Sequence, residues 1–216
     1  MNESLPLRLH GYWRSTASYR VRIALAVKGI SYEQLTHDLR MDAHRLPGYT
    51  ALNPQGFVPA LEVGDEVIPQ SGAIIEWLEE TYPDPPLLPA DRTARAMVRS
   101  IAQIVACDIH PLNNLRVLRR LRGDLACNEA QVQAWIATWI VEGFEALETM
   151  IARHGGRFAF GDTVTMADCY ILPQIYSAER FKVDLAPFPK LISVAREARA
   201  DPAIAAAHPD RQPDSD

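Results

Sequence analysis

Pro83-Asp-Pro-Pro-Leu-Leu-Pro89 places four prolines in seven residues and divides the 216-residue chain into two parts of different character. Proline lacks a backbone N–H and has a fixed φ, so neither a helix nor a sheet ladder runs through such a stretch. Upstream, short extended and helical patterns alternate. Leu7-Arg-Leu-His-Gly11 alternates as a strand does, and residues 18–28 set Val21, Ile23, Ala24, Leu25 and Val27 on a broad helical face stopped by Gly29. Residues 32–39 alternate again, and residues 41–50 are polar and irregular. Residues 59–63 and 66–68, joined at Gly64-Asp65, read as a hairpin, and residues 71–82 put Ile74, Ile75, Leu78 and Tyr82 on one helical face. The order is β-α-β, an irregular link, then β-β-α. Downstream, every periodic segment is helical: residues 93–121, 129–154, 166–181 and 188–200, with fraying expected from Pro209 onward. The expected division is a first domain over residues 1–84, a linker over 85–92 and an all-helical domain over 93–216.

The totals exclude several classes of function. A net charge of −5 and a pI near 5.7 argue against nucleic acid as a standing partner. No apolar run approaches the roughly 18–20 residues a membrane span needs. Residues 1–6 lack the charged and apolar regions of a secretory leader. Cys107, Cys127 and Cys169 are scattered and form no CxxC, which argues against a disulfide framework or a metal site and for a cytoplasmic location. Only Lys28, Lys182 and Lys190 among the 22 basic residues are lysines, and arginine suits bidentate carboxylate recognition better than lysine.

Four local motifs stand out. In Trp13-Arg-Ser-Thr-Ala-Ser-Tyr-Arg-Val-Arg-Ile-Ala-Leu25, Ser15, Thr16 and Ser18 sit where an extended run becomes helical. A helix start presents unsatisfied N–H groups and partial positive charge, a ready site for an anion or a thiolate. No cysteine lies there, so a thiolate has to arrive with a ligand. In Asn53-Pro-Gln-Gly-Phe-Val-Pro59, Pro59 fits the first residue of a strand. Gln70-Ser71 opens a helix, with Ser71 able to cap it and the helix start able to hold a carboxylate. Thr165-Met-Ala-Asp168 is a capping box, and its role is structural. Arg20 and Arg22 read as ion-paired structural residues, and Arg119, Arg120 and Arg122 as a solvated cluster at a helix end.

The layout resembles the cytosolic glutathione transferases: an α/β thioredoxin-like N-terminal domain followed by an all-α C-terminal domain. Arg14–Leu25 resembles the zeta-class signature, which usually runs Ser-Ser-Cys-Ser-Trp/His-Arg-Val-Arg-Ile-Ala-Leu. The similarity extends through Asp108-Ile-His-Pro-Leu-Asn-Asn114, Gly161–Asp168 and Ala207-His-Pro-Asp210. It implies glutathione as cofactor, with Val58 pairing its cysteinyl part through a cis-proline loop and Gln70 and Ser71 at its γ-glutamyl carboxylate. It places His110 and Asn114 in the same site, and Ser15, Thr16 and Arg14 at the chemistry. It assigns Arg14, Arg116 and Arg180 to the carboxylates of a dicarboxylate keto acid, and it implies a homodimer.

Two departures from the class pattern matter. Ala17 replaces the class cysteine, so no protein thiol serves there. His110, Asn114 and Arg116 form a His-Pro-x-Asn-Asn-x-Arg pattern that resembles the maleylpyruvate enzymes more than the maleylacetoacetate enzymes, which usually carry Gln-Pro-Leu-Gln-Asn. The implied reaction is glutathione-dependent cis–trans isomerisation of a maleyl keto acid to its fumaryl isomer. A general transferase or haloacid dehalogenase shares the first addition step and separates by assay with an α-haloacid. A non-catalytic glutathione-fold protein separates by calorimetry with glutathione.

Overall fold

The structure, a computed structural model, describes residues 6–216, and two compact units emerge: residues 6–87 with Asp201–Asp216, and Leu88–Ala200. The reading of residues 1–6 as no leader falls, apart from Pro6, outside the described residues.

In the first unit, β1 (Leu7–Gly11) is followed by α1 (Thr16–Val27) and β2 (Glu33–Thr36). After two 3-10 turns come α2 (Pro47–Leu52), β3 (Ala60–Val63), β4 (Glu66–Pro69) and α3 (Ser71–Thr81). The sheet order is β2-β1-β3-β4, with β1 parallel to β2 and antiparallel to β3. A parallel pair needs a crossover, and α1 supplies it. Leu9 faces Leu61 across β1 and β3, and both are buried with Ile23, Leu25, Ile74, Ile75 and Leu78. Helices α1 and α3 pack on each other over this core. Gly29 ends α1 at φ +65°, where the Ile30 N–H returns to the Leu25 carbonyl.

Residues 41–50, expected to be irregular, contain much of α2. Six residues are too few to show a helical period, and Pro47 starts the helix because its missing N–H has no partner to lose there. Tertiary contact holds it: Tyr49 is buried with its ring centroid 4.1 Å from that of His37.

The expected fraying after Pro209 is also corrected. Residues 202–206 form α9 (Pro202–Ala206), a 3-10 turn follows over Pro209–Arg211, and Gln212 is buried with its amide on the Ala206 and His208 carbonyls. This segment packs on α1, and the Arg22 guanidinium donates to the Ala207 carbonyl at 3.1 Å. It therefore groups with the first unit, whereas the expected division carried it in the second.

The proline-rich stretch is tied down at its start. Buried Lys28 donates to Glu79 Oε2 at 2.9 Å and to the Tyr82 and Pro85 carbonyls at 2.7 and 2.9 Å. Glu79 in turn accepts the Leu87 N–H at 2.9 Å.

The second unit holds α4 (Arg92–Gln103), α5 (Leu115–Gly123), α6 (Glu129–His154), α7 (Met166–Arg180) and α8 (Pro189–Arg199). The helix expected over residues 93–121 is broken: a π turn runs over Ile104–Ile109 and a 3-10 turn over His110–Asn113 before α5 begins. Pro111 cannot donate to a continuing ladder, and Gly143 of α6 leaves room for Ile109 where a Cβ would stand 2.3 Å from its Cδ1. Helix α7 is buried from Met166 to Ala178. Its start is the expected capping box: Asp168 accepts the Thr165 N–H at 2.8 Å, and its other oxygen accepts the Ala159 N–H at 2.9 Å. Burial pushes the Asp168 carboxyl up to about 6 against these hydrogen bonds. Glu148 of α6 accepts the Lys190 and Leu191 N–H groups at 2.7 and 2.8 Å, capping α8 from a neighbouring helix. Among the described residues, no helix is long and apolar enough to cross a membrane.

Candidate active site

Ser15 is the N-cap of α1, with extended backbone at φ −69° and ψ 117°. Its Oγ accepts the Ser18 N–H at 3.2 Å, and its own N–H donates to the Tyr12 carbonyl at 3.0 Å. A hydroxyl that accepts in this way still has its proton to donate. The Ser15 hydroxyl and the start of a twelve-residue helix thus lie together. Thr16 is the first residue of the helix and is buried, whereas Ser15 is half-buried and more open to a ligand. Arg14 is half-buried, its guanidinium 5.5 Å from the Trp13 ring centroid.

The second helix start in this unit is that of α3. Gln70 caps it with φ +71° and ψ 119°, a conformation that costs a non-glycine residue on the order of 1–3 kcal/mol and is concentrated at functional sites. The exposed Gln70 amide donates to Gln55 Oε1 at 2.6 Å. Ser71 is buried, and its Oγ accepts from the Arg20 guanidinium at 3.3 Å. Arg20 is itself buried, so a fixed positive charge stands behind a helix N-terminus. The Val58–Pro59 bond is cis, with Val58 half-buried. The preceding Phe57 carbonyl accepts from both the Tyr49 hydroxyl and Asn53 Nδ2.

These residues fit a thiol ligand that also carries a carboxylate: each helix start combines a hydroxyl with N–H groups, and Arg20 adds charge at Ser71. Gln55 and Tyr49 were not among the residues singled out from sequence, and Arg20 was not read as part of the site. Arg20 sat in the quoted motif but read, with Arg22, as an ion-paired structural residue. The burial that separates the two readings is tertiary. Arg22 meets carbonyl oxygens, those of Tyr12, Trp13 and Ala207.

A titratable cluster lies in the same sheet. His10 Nδ1 is 2.8 Å from His37 Nε2, and the other His10 nitrogen pairs with Glu62, which also pairs with Arg8. Burial, with His10 and His44 nearby, brings the His37 imidazole down to about 4. Burial raises the Glu62 carboxyl, but hydrogen bonds from His10 and Arg8 outweigh it and hold the group below the usual range.

In the second unit, His110 opens the 3-10 turn and is half-buried. Asn114 is the N-cap of α5, its side-chain oxygen accepting the Val117 N–H at 3.3 Å. Trp135 Nε1 donates to the Leu112 carbonyl at 2.9 Å and ties this turn to α6. Arg116 is exposed and lines an open cavity of about 450 Å³ with Val117, Arg120, Leu121, Leu125 and Trp135. Arg180, the last residue of α7, is not part of that lining. Its guanidinium lies 5.6 Å from the ring centroids of both Tyr176 and Phe181.

Known proteins share both units. Residues 9–86 match the glutathione S-transferase N-terminal domain, and residues 116–206 match the C-terminal domain. A maleylacetoacetate isomerase of Pseudomonas aeruginosa is 50% identical over 212 residues, covering 97% of this chain and 99% of the relative. A holo maleyl pyruvate isomerase, a bacterial glutathione S-transferase in the zeta class, superposes with a TM-score of 0.95 at 50% identity, covering 97% of this chain and 100% of that one. A maleylacetoacetate isomerase of Anaeromyxobacter dehalogenans with glutathione bound in its active site gives a TM-score of 0.91 at 43% identity, covering 99% of each chain. Together with the thioredoxin-like sheet, the helical second unit and the serine at the start of α1, these matches make the chain a member of the zeta class of glutathione S-transferases, among the maleylpyruvate and maleylacetoacetate isomerases.

Proposed function

We propose that this protein is a glutathione-dependent cis–trans isomerase that converts a maleyl keto acid, maleylpyruvate in preference to maleylacetoacetate, to its fumaryl isomer. The observation that carries the reading is Ser15 capping α1 with Ala17, not cysteine, in the first turn. The chain has a hydroxyl and a helix start for a thiolate, and no thiol of its own at that position. Glutathione held there would supply a thiolate for reversible addition to the conjugated double bond, the alkene electron pair moving onto the keto carbonyl to allow rotation and returning as the thiolate is released unchanged. Ser15 and the first-turn N–H groups of α1 favour the charged form of the thiol. Thr16 lies one residue further into the same turn as a second hydroxyl. Val58, Gln70 and Ser71, joined by His110 and Asn114, are the assigned glutathione ligands. Arg14, Arg116 and Arg180 are assigned to the substrate carboxylates, where a guanidinium binds bidentately and offsets charge developing in the transition state. The pattern around His110 and Arg116 supports the shorter keto acid.

The test is kinetic comparison of both maleyl substrates with and without glutathione. Turnover of maleylpyruvate with catalytic, recovered glutathione is expected. Stoichiometric loss of glutathione with no fumaryl product overturns the reading. A cytoplasmic homodimer belongs to the same proposal, and light scattering at twice the chain mass checks the assembly.

A further inference from the structure

The turn Tyr12–Ser15 carries Arg14 and Ser15, and its backbone is held by residues from the other end of the sequence. The Trp13 N–H donates to Asp214 Oδ2 at 3.0 Å, and Asp214 Oδ1 accepts from Gln34 Nε2 at 2.7 Å. The carbonyls of Tyr12 and Trp13 accept from Arg22 Nη1 and Nη2 at 3.4 and 2.9 Å, while Arg22 Nε holds Ala207. Asp216 pairs with Arg40, whose guanidinium lies 5.8 Å from the Tyr12 ring centroid. All of these groups belong to the first unit.

Trp13 is buried, so its N–H has little water to turn to if the carboxylate is withdrawn. The bond is charge-assisted and correspondingly strong. Ser15 caps α1 only while the preceding turn keeps it extended, since its N–H is spent on the Tyr12 carbonyl. The direction of the Ser15 hydroxyl is therefore set two residues upstream.

We infer that Asp214 is a positioning residue for the glutathione sulfur: by fixing the Trp13 N–H it fixes the Ser15 hydroxyl and the first-turn amides of α1 toward one point. The inference rests on the glutathione reading above. Its electrostatic alternative has the opposite sign. Asp214 is an anion close to the turn, so its charge alone raises the pKa of a nearby thiol, and removing the charge alone lowers it. Its positioning does the reverse. Among the described residues, the other charged and titratable groups near the turn and near Asp214 include Arg14, Arg22, Arg40, Asp38, Asp216, Tyr12 and Tyr32, and none of them is altered in the test.

The experiment follows the ultraviolet absorbance of the bound glutathione thiolate against pH, with hydrogen exchange of the Trp13 amide as a second readout. Asp214→Ala is expected to raise the bound thiol's pKa by about one unit and to speed Trp13 exchange. Affinity measured below the bound thiol's pKa is expected to stay within about twofold, because the Gln70–Ser71 end is untouched, and above that pKa it falls only by as much as the pKa shift requires. Asp214→Asn keeps an oxygen acceptor without the charge, and is expected to restore slow exchange with a thiol pKa at or below wild type. If Asp214→Ala does not fold, Gln34→Ala removes only the carboxylate's other partner, and a smaller shift in the same direction is expected. A folded variant with wild-type exchange and an unchanged or lowered thiol pKa overturns the inference alone. A wild-type protein that binds no glutathione overturns it together with the functional reading.

Discussion

At the scale of single residues, Ser15 caps α1 and carries the hydroxyl proposed for the thiolate, and one substitution tests both. Ser15→Ala removes the hydroxyl assigned to the thiolate and the acceptor of the Ser18 N–H. It is expected to lower kcat/KM by roughly 10²–10³, and to cost about 1 kcal/mol of stability through the lost cap. Steady-state kinetics and urea unfolding of the same preparation measure both, and an active, equally stable variant contradicts the assignment. His37 gives a prediction in pH. Its imidazole titrates near 4 in the folded chain against 6.5 unfolded, so between those values the unfolded chain binds the extra proton. Stability is therefore lost as pH falls from 6.5 toward 4, and the loss is complete below the folded value. His37→Gln keeps a hydrogen-bonding group and removes this titration. Urea unfolding at the two ends of that range is expected to show a smaller loss for the variant than for wild type, by about 1 kcal/mol after solvent screening. Equal losses sink the assignment. Ser15 was legible in the sequence as a helix cap, because a hydroxyl at an extended-to-helical junction accepts a first-turn N–H, while its proposed tie to a glutathione thiolate came from the resemblance. The His10–His37–Glu62 cluster was not legible, because its members lie on β1, on β3 and just beyond β2, and only sheet register brings them together.

Among the elements, those with a long period were readable and those held by tertiary contact were not. The long helix α6 and the capping box of α7 follow from apolar spacing and from Thr165 and Asp168. The break at residues 104–113 is only partly legible: Pro111 is a local signal, whereas the room for Ile109 is left by another helix. Gly143 makes room there: a Cβ would sit 2.3 and 2.4 Å from Ile109 Cδ1 and Cγ1, and Ile109 is fully buried. Gly143→Ala is expected to destabilise the chain by about 1–3 kcal/mol from overpacking, which exceeds the helix propensity gained, at most about 1 kcal/mol. Thermal unfolding should show the midpoint falling by several degrees. A midpoint at or above wild type shows that Ile109 moves aside without cost. The short helix α2 is the other instance, six residues held by the packing of the Tyr49 ring, tilted, against His37.

For the molecule as a whole, a ligand held by the folded state stabilises it by mass action. Glutathione at about 100 times its Kd is expected to add about 2.7 kcal/mol, read as a raised unfolding midpoint. The same addition to Ser71→Ala should give a smaller rise, and an equal rise removes Ser71 from the glutamyl site. The β-α-β and β-β-α order of the first unit, the proline break and the anion-suited starts of α1 and α3 were determined by sequence alone, since periodicity, turn residues and caps are local properties. Tertiary structure decided the rest. It placed Arg20 behind Ser71, grouped residues 201–216 with the first unit and brought Asp214 to the turn before Ser15. Each of these depends on residues far apart in sequence, whose pairing carries no periodic signal and appears only when burial makes an unpaired polar group costly.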